Sequence, residues 1–73
     1  MQEITTLSKC VQHHRHLMQE SQEVFAEKCG LSSEMISLIE RQMVNPTLNS
    51  ISRISKHIGL SVSEIFAFDI DNI

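Results

Sequence analysis

The sequence predicts an all-α fold, five short helices around one core, and three observations carry that expectation. Apolar residues recur at three- and four-residue spacing in the segments between short polar breaks. No segment alternates apolar and polar residues with period two, so no strand is expected. The breaks hold Ser, Thr, Gly and one Pro where helices would begin and end.

The first helix is expected from about Thr6 to Met18, with Leu7, Val11 and Met18 on one stripe and Thr5 or Thr6 as its cap. The second follows Ser21, a good N-cap, and buries Phe25, Ala26 and Cys29. It ends at Gly30, which readily adopts the left-handed conformation. The third starts at Ser32 or Ser33, turns Ile36 and Ile39 inward, and breaks before Asn45 and Pro46. The fourth, about Thr47 to His57, carries the clearest stripe, Leu48, Ile51, Ile54 and Ile58, and closes at Gly59. The fifth is short. Ser61 with Glu64 three residues on is a capping box, and Val62, Ile65 and Phe66 face the core or a partner.

With 73 residues, the chain is expected to form a single domain over 1–73, with a core at about 6–66 and an apolar tail at 67–73. Cys10 and Cys29 lack a disulfide framework and fall where a helix face needs a small hydrophobe, which fits a reducing cytoplasm. The chain has no apolar run able to span a bilayer, and its opening residues have neither a basic nor an apolar leader region, so a soluble, cytoplasmic protein is expected. His13, His14 and His16 with Cys10 suggest a metal site, but the four do not converge from one helix into a tetrahedral set, and no metal or other cofactor is expected. No nucleophile elbow, carboxylate pair or phosphate-cradling glycine loop appears, so no catalytic residue and no enzyme is expected. Six Lys and Arg against nine Asp and Glu leave a net charge of −3, which weakens phosphate binding by simple charge neutralisation.

Helices two and three, joined by the tight break Gly30-Leu31-Ser32, have a helix-turn-helix layout. With Ile36 and Ile39 inward, Ser33, Glu34, Ser37, Leu38 and Arg41 share the outward face of the third helix. That face is short and mostly polar, as close approach to a major groove requires. Through Arg15, then SQEVFAEKCGLS at 21–32, ISLIER at 36–41 and NPTLNSISRISKHIGLSVSEIF at 45–66, the sequence resembles the Cro/repressor-type helix-turn-helix proteins, the XRE family. The resemblance implies a compact five-helix lambda-repressor-like domain whose partner is double-stranded DNA. Ser33, Glu34, Ser37 and Leu38 would meet base edges, and Gln22, Arg41 and Asn45 would meet phosphates. Arg15 on helix one would face Glu40 at the end of helix three as a structural ion pair. The sequence departs from the family pattern where it has Gln42 for a glycine, Met43 for a basic residue and Glu20 for an apolar one. Gln42 is therefore expected to take a left-handed conformation, and the hydrophobic staple onto helix two is expected to be missing.

The function these readings imply is a dimeric transcriptional regulator, a repressor or autoregulator on a near-palindromic operator, with helix 32–41 in the major groove. Phe66, Phe68, Ile70 and Ile73 form an apolar edge expected to pair with itself in a homodimer. The alternative is a protein-interaction module of the same fold, an antitoxin or regulatory adaptor, whose acidic surface serves a protein partner.

Overall fold

The computed structural model describes the backbone of residues 2–67 and the side chains of residues 5–67. Along them run α1 (Gln2–Leu17), α2 (Gln22–Cys29), α3 (Ser33–Glu40), α4 (Leu48–Ile58) and α5 (Val62–Phe66). The fold is all-α, as the spacing predicts, and no helix among the described residues is long and apolar enough to cross a membrane.

Four of the helices start at a hydroxyl. Ser21, Ser32, Thr47 and Ser61 lie in extended backbone, and each side-chain oxygen accepts the amide three residues on. Each bond satisfies one of the donors that a helix start leaves open. At Ser61 the exchange is reciprocal, because the Glu64 carboxylate accepts the Ser61 amide at 2.8 Å. α1 differs from expectation. It starts four residues before Thr6, so Thr5 and Thr6 lie inside it rather than capping it. Gln2 and Glu3 are good helix formers, and nothing in the chain obliges the helix to wait for a threonine.

α2 and α4 end on Gly30 and Gly59, with φ of 75° and 81°. α1 and α3 close in the same way on Gln19 and Gln42, with φ of 56° and 59°. Behind each glutamine the next amide reaches back five residues, Glu20 to the Arg15 carbonyl at 3.1 Å and Met43 to the Leu38 carbonyl at 2.9 Å. These are Schellman closures with glutamine in the glycine position.

The core joins Leu7, Cys10 and Val11 of α1, Phe25, Ala26 and Cys29 of α2, Ile36 and Ile39 of α3, Ile51 and Ile54 of α4, and Ile65 of α5. Met18 and Leu48 do not belong to it. Met18 lies past the end of α1 and is half-buried. Leu48 is 70% exposed, because a first-turn side chain leans back beyond the helix start and finds no turn there to cover. Ile58 and Val62 pack on the rim, and Phe66 is exposed. Both cysteines are free thiols, and burial pushes each up to about 11, so they stay protonated hydrophobes at neutral pH.

Candidate nucleic-acid interface

Placement of α3 depends on Glu40, its last residue. The Glu40 carbonyl is one of the acceptors a helix end leaves open. Ser8 Oγ of α1 donates to it at 2.7 Å, and Gln12 Nε2 donates at 3.0 Å. The carboxylate meets a different set. Arg15 Nε donates to Oε2 at 2.7 Å and Nη2 to Oε1 at 3.0 Å, a bidentate pair, while Gln22 Nε2 donates to Oε1 at 3.1 Å. The third guanidinium nitrogen, Nη1, donates to the Glu20 carbonyl at 3.0 Å. With side-chain exposures of 15% for Arg15 and 7% for Glu40, the pair is screened little by solvent. The hydrogen bonds it donates to Glu40 hold the Arg15 guanidinium above its ordinary pKa, so it is always charged. One residue thus fastens α3 to both α1 and α2.

Beside this anchor the first turns of α2 and α3 border a groove of about 700 Å³, lined by Arg15, Ser21, Gln22, Glu23, Ser33, Glu34 and Ser37. The Gln22 and Glu23 amides belong to the first turn of α2 and have no carbonyl within the helix to accept them. They carry the partial positive charge of a helix start, to which an anion is attracted. Ser33, Glu34 and Ser37 line the groove beside Gln22, so three of the four candidate base contacts lie together. Leu38 is half-buried and is not among the groove's lining residues. Arg41 and Asn45 are exposed in the connection from α3 to α4, outside the groove. The Gln22 side chain is tied to Glu40, which leaves backbone amides as the ready donors at that point.

The electrostatics of the groove are mixed. Among the described residues its one lining cation, Arg15, is already paired, and Glu23 and Glu34 are exposed carboxylates beside it. Of the dimer residues expected from the sequence, Phe66 is exposed at the end of α5, whereas Phe68, Ile70 and Ile73 lie outside the described residues. No group of three or more His, Cys, Asp or Glu residues able to hold a metal occurs among the described residues.

Sequence reasoning missed two arrangements. Ser8 and Gln12 are a pair four residues apart on α1, and only the placement of α1 beside α3 turns them into a cap. Glu20, which stands where the family pattern has an apolar residue and was expected only to leave the staple missing, joins two helices. Its carboxylate meets Lys28 of α2 at 2.8 Å and His57 of α4 at 2.8 Å, and the bond from Lys28 followed by that from His57 holds it below the ordinary carboxyl range. The His57 ring also stands edge-on to Phe25, with centroids 5.0 Å apart.

A family model described as helix-turn-helix matches residues 21–65. An uncharacterised helix-turn-helix-type transcriptional regulator of Methanocaldococcus jannaschii is 31% identical over 61 residues, which span 84% of this chain and 92% of its own length. No solved structure matches.

Proposed function

We propose, from the premise that this chain belongs to the helix-turn-helix family, that it is a sequence-specific DNA-binding regulator of transcription. The observation that carries the reading is the shared groove, in which an anion-seeking first turn of α2 borders the Ser33, Glu34 and Ser37 face of α3. A phosphate held at the start of α2 would set the register of the duplex, and the side chains of α3 would then meet base edges. Ser33 and Ser37 are short enough to let the helix enter the major groove closely. Glu34 accepts from a cytosine amino group and repels misplaced phosphates. Leu38 lies next along α3 for contact with a thymine methyl, and Arg41 and Asn45 reach flanking phosphates.

The protein acts in the cytoplasm, without catalysis, as a homodimer that represses its targets or its own promoter. The apolar end of the chain, beginning at Phe66, pairs the two copies. Their recognition helices then enter successive major grooves about 34 Å apart, on a near-palindromic site. The net charge of −3 favours a second reading, a regulatory adaptor or antitoxin of the same fold whose own acidic surface serves a protein partner.

DNA selected from a random pool, followed by a salt series on purified variants, separates the two. The expected result is one enriched palindrome that the protein binds as a dimer at modest ionic strength. Ser33→Ala and Leu38→Ala should each cost about 1–3 kcal/mol on that site alone. Arg41→Ala should weaken cognate and random DNA alike and lower the salt slope by about one unit. Absence of any enriched sequence would reject the DNA reading in favour of the protein partner.

A further inference from the structure

The positive charge of this chain lies largely away from the candidate reading groove. Lys28, Arg53 and Lys56, half of the six Lys and Arg residues, border a separate cavity of about 510 Å³ between the end of α2 and the exposed side of α4. Asn49 and Ser52 line the same cavity and add amide and hydroxyl donors. Residues 49, 52, 53 and 56 stand at steps of three, four and seven along α4, so they fall on one helical face. Lys28 faces them from α2.

Part of this charge is already answered. Lys28 donates to the Glu20 carboxylate at 2.8 Å, and the same carboxylate meets His57, which also lines the cavity, at 2.8 Å. Lys28 and Lys56 lie in the last turns of their helices, whose ends each carry about half a negative charge. Three full cations against one carboxylate and two such ends still leave about one net positive charge in a chain whose total is −3. Arg53 and Lys56 are exposed and form no ion pair among the described residues. Arg53 also reaches across to the end of α2. Its guanidinium lies over the left-handed Gly30, so close that a Cβ there would stand 2.8 Å from Nη1.

From this arrangement we infer that the cavity between α2 and α4 binds a phosphate-bearing anion through Arg53, Lys56 and Lys28, with Asn49 and Ser52 completing the donor set. The chemistry is specific in kind. A planar guanidinium fork grips two oxygens of one phosphate, and two ammonium groups on flexible stems adjust to the rest. The volume is in the range of small-molecule sites, and the polar lining suits a compact anion rather than an apolar ligand. A free phosphorylated small molecule and a DNA-backbone phosphate reaching round the domain share this chemistry, and the test separates them. The inference does not depend on the reading groove, because the two cavities share no lining residue.

The test is titration of the ¹⁵N-labelled full chain with pyrophosphate at constant ionic strength, followed by amide NMR. Saturable shifts are expected at Lys28, Asn49, Ser52, Arg53 and Lys56, with Kd raised at least about tenfold in Lys56→Gln and in Arg53→Gln and unchanged in Lys9→Gln. Lys56 is an exposed side chain, so its variant keeps the test valid if Arg53→Gln disturbs the fold. A second titration adds a short DNA duplex. Displacement of pyrophosphate by DNA assigns the phosphate to the backbone, and simultaneous binding of both assigns it to a free anion. Either outcome sustains the site. Shifts that rise linearly and extend equally to Lys9 and Arg41 would show an ionic atmosphere only and overturn it. So would a Lys56→Gln protein that titrates like the parent, or poly-glutamate binding the cavity more tightly than pyrophosphate.

Discussion

Glu40 is where single-residue energetics are most sharply divided. Its bidentate bond to Arg15 is shielded from solvent, whereas in the pair of Lys28 with Glu20 the ammonium is 53% exposed and the carboxylate keeps a second bond to His57. Breaking a shielded pair leaves a charge without a partner, and breaking an exposed one returns it to water. Arg15→Met should therefore lower stability by about 3 kcal/mol, at the low end of the range for buried pairs because some of the guanidinium still reaches solvent. Lys28→Met should cost far less. Urea denaturation of the two variants checks the contrast, and equal midpoints would refute it. The Arg15 and Glu40 positions were legible in the sequence through family resemblance. The Glu40 carbonyl cap was not, since neither Ser8 nor Gln12 carries a signal until α1 and α3 lie side by side.

At the scale of the helix, starts and stops were legible to different degrees. Ser21, Ser32, Thr47 and Ser61 announce helix starts because a short oxygen side chain does there what no apolar one can. Thr5 and Thr6 misled for the same reason, being the same chemistry inside a helix. Gly30 and Gly59 mark two ends, and the departure at Gln42 marks a third. Gln19 gives no local sign, because its left-handed φ is set by the return of the chain onto Arg15. A non-glycine residue in that region carries about 1–2 kcal/mol of strain. Glycine relieves it but adds unfolded-state entropy worth about 0.4–1 kcal/mol. Gln19→Gly should thus stabilise the fold by roughly 0.5–1 kcal/mol, the difference between those two effects. Gln42→Gly should gain less, because the Gln42 side chain also accepts a bond from Thr5 Oγ1 at 2.9 Å. Thermal melts of the two variants test the order, and a gain at Gln42 larger than at Gln19 would contradict it.

For the whole molecule, 28 × 23 × 20 Å across, the shifted groups set the response to acid. His14 is held below its ordinary 6.5 by burial first and by His13 next, so the folded chain binds that proton less readily than the unfolded one. Stability from this source is complete above 6.5 and is lost as pH falls through the lowered value. Glu20 and Glu64 are held below the ordinary carboxyl value of 4.5, by the Lys28 bond first and by the Ser61 amide first respectively. Their contribution is complete above 4.5 and disappears below it. The melting temperature should therefore fall in two stages on acidification, and His14→Gln should remove the first while leaving the second. A single transition in both proteins would refute this. The anchoring of α3 has one more consequence, for how such a molecule can be edited. Ile36, Ile39 and Glu40 fasten the helix, and the proposed reading residues Ser33, Glu34, Ser37 and Leu38 are all different positions. Message and fastening therefore use separate letters of the same eight-residue word, so the first can be rewritten for a new operator while the second is copied unchanged.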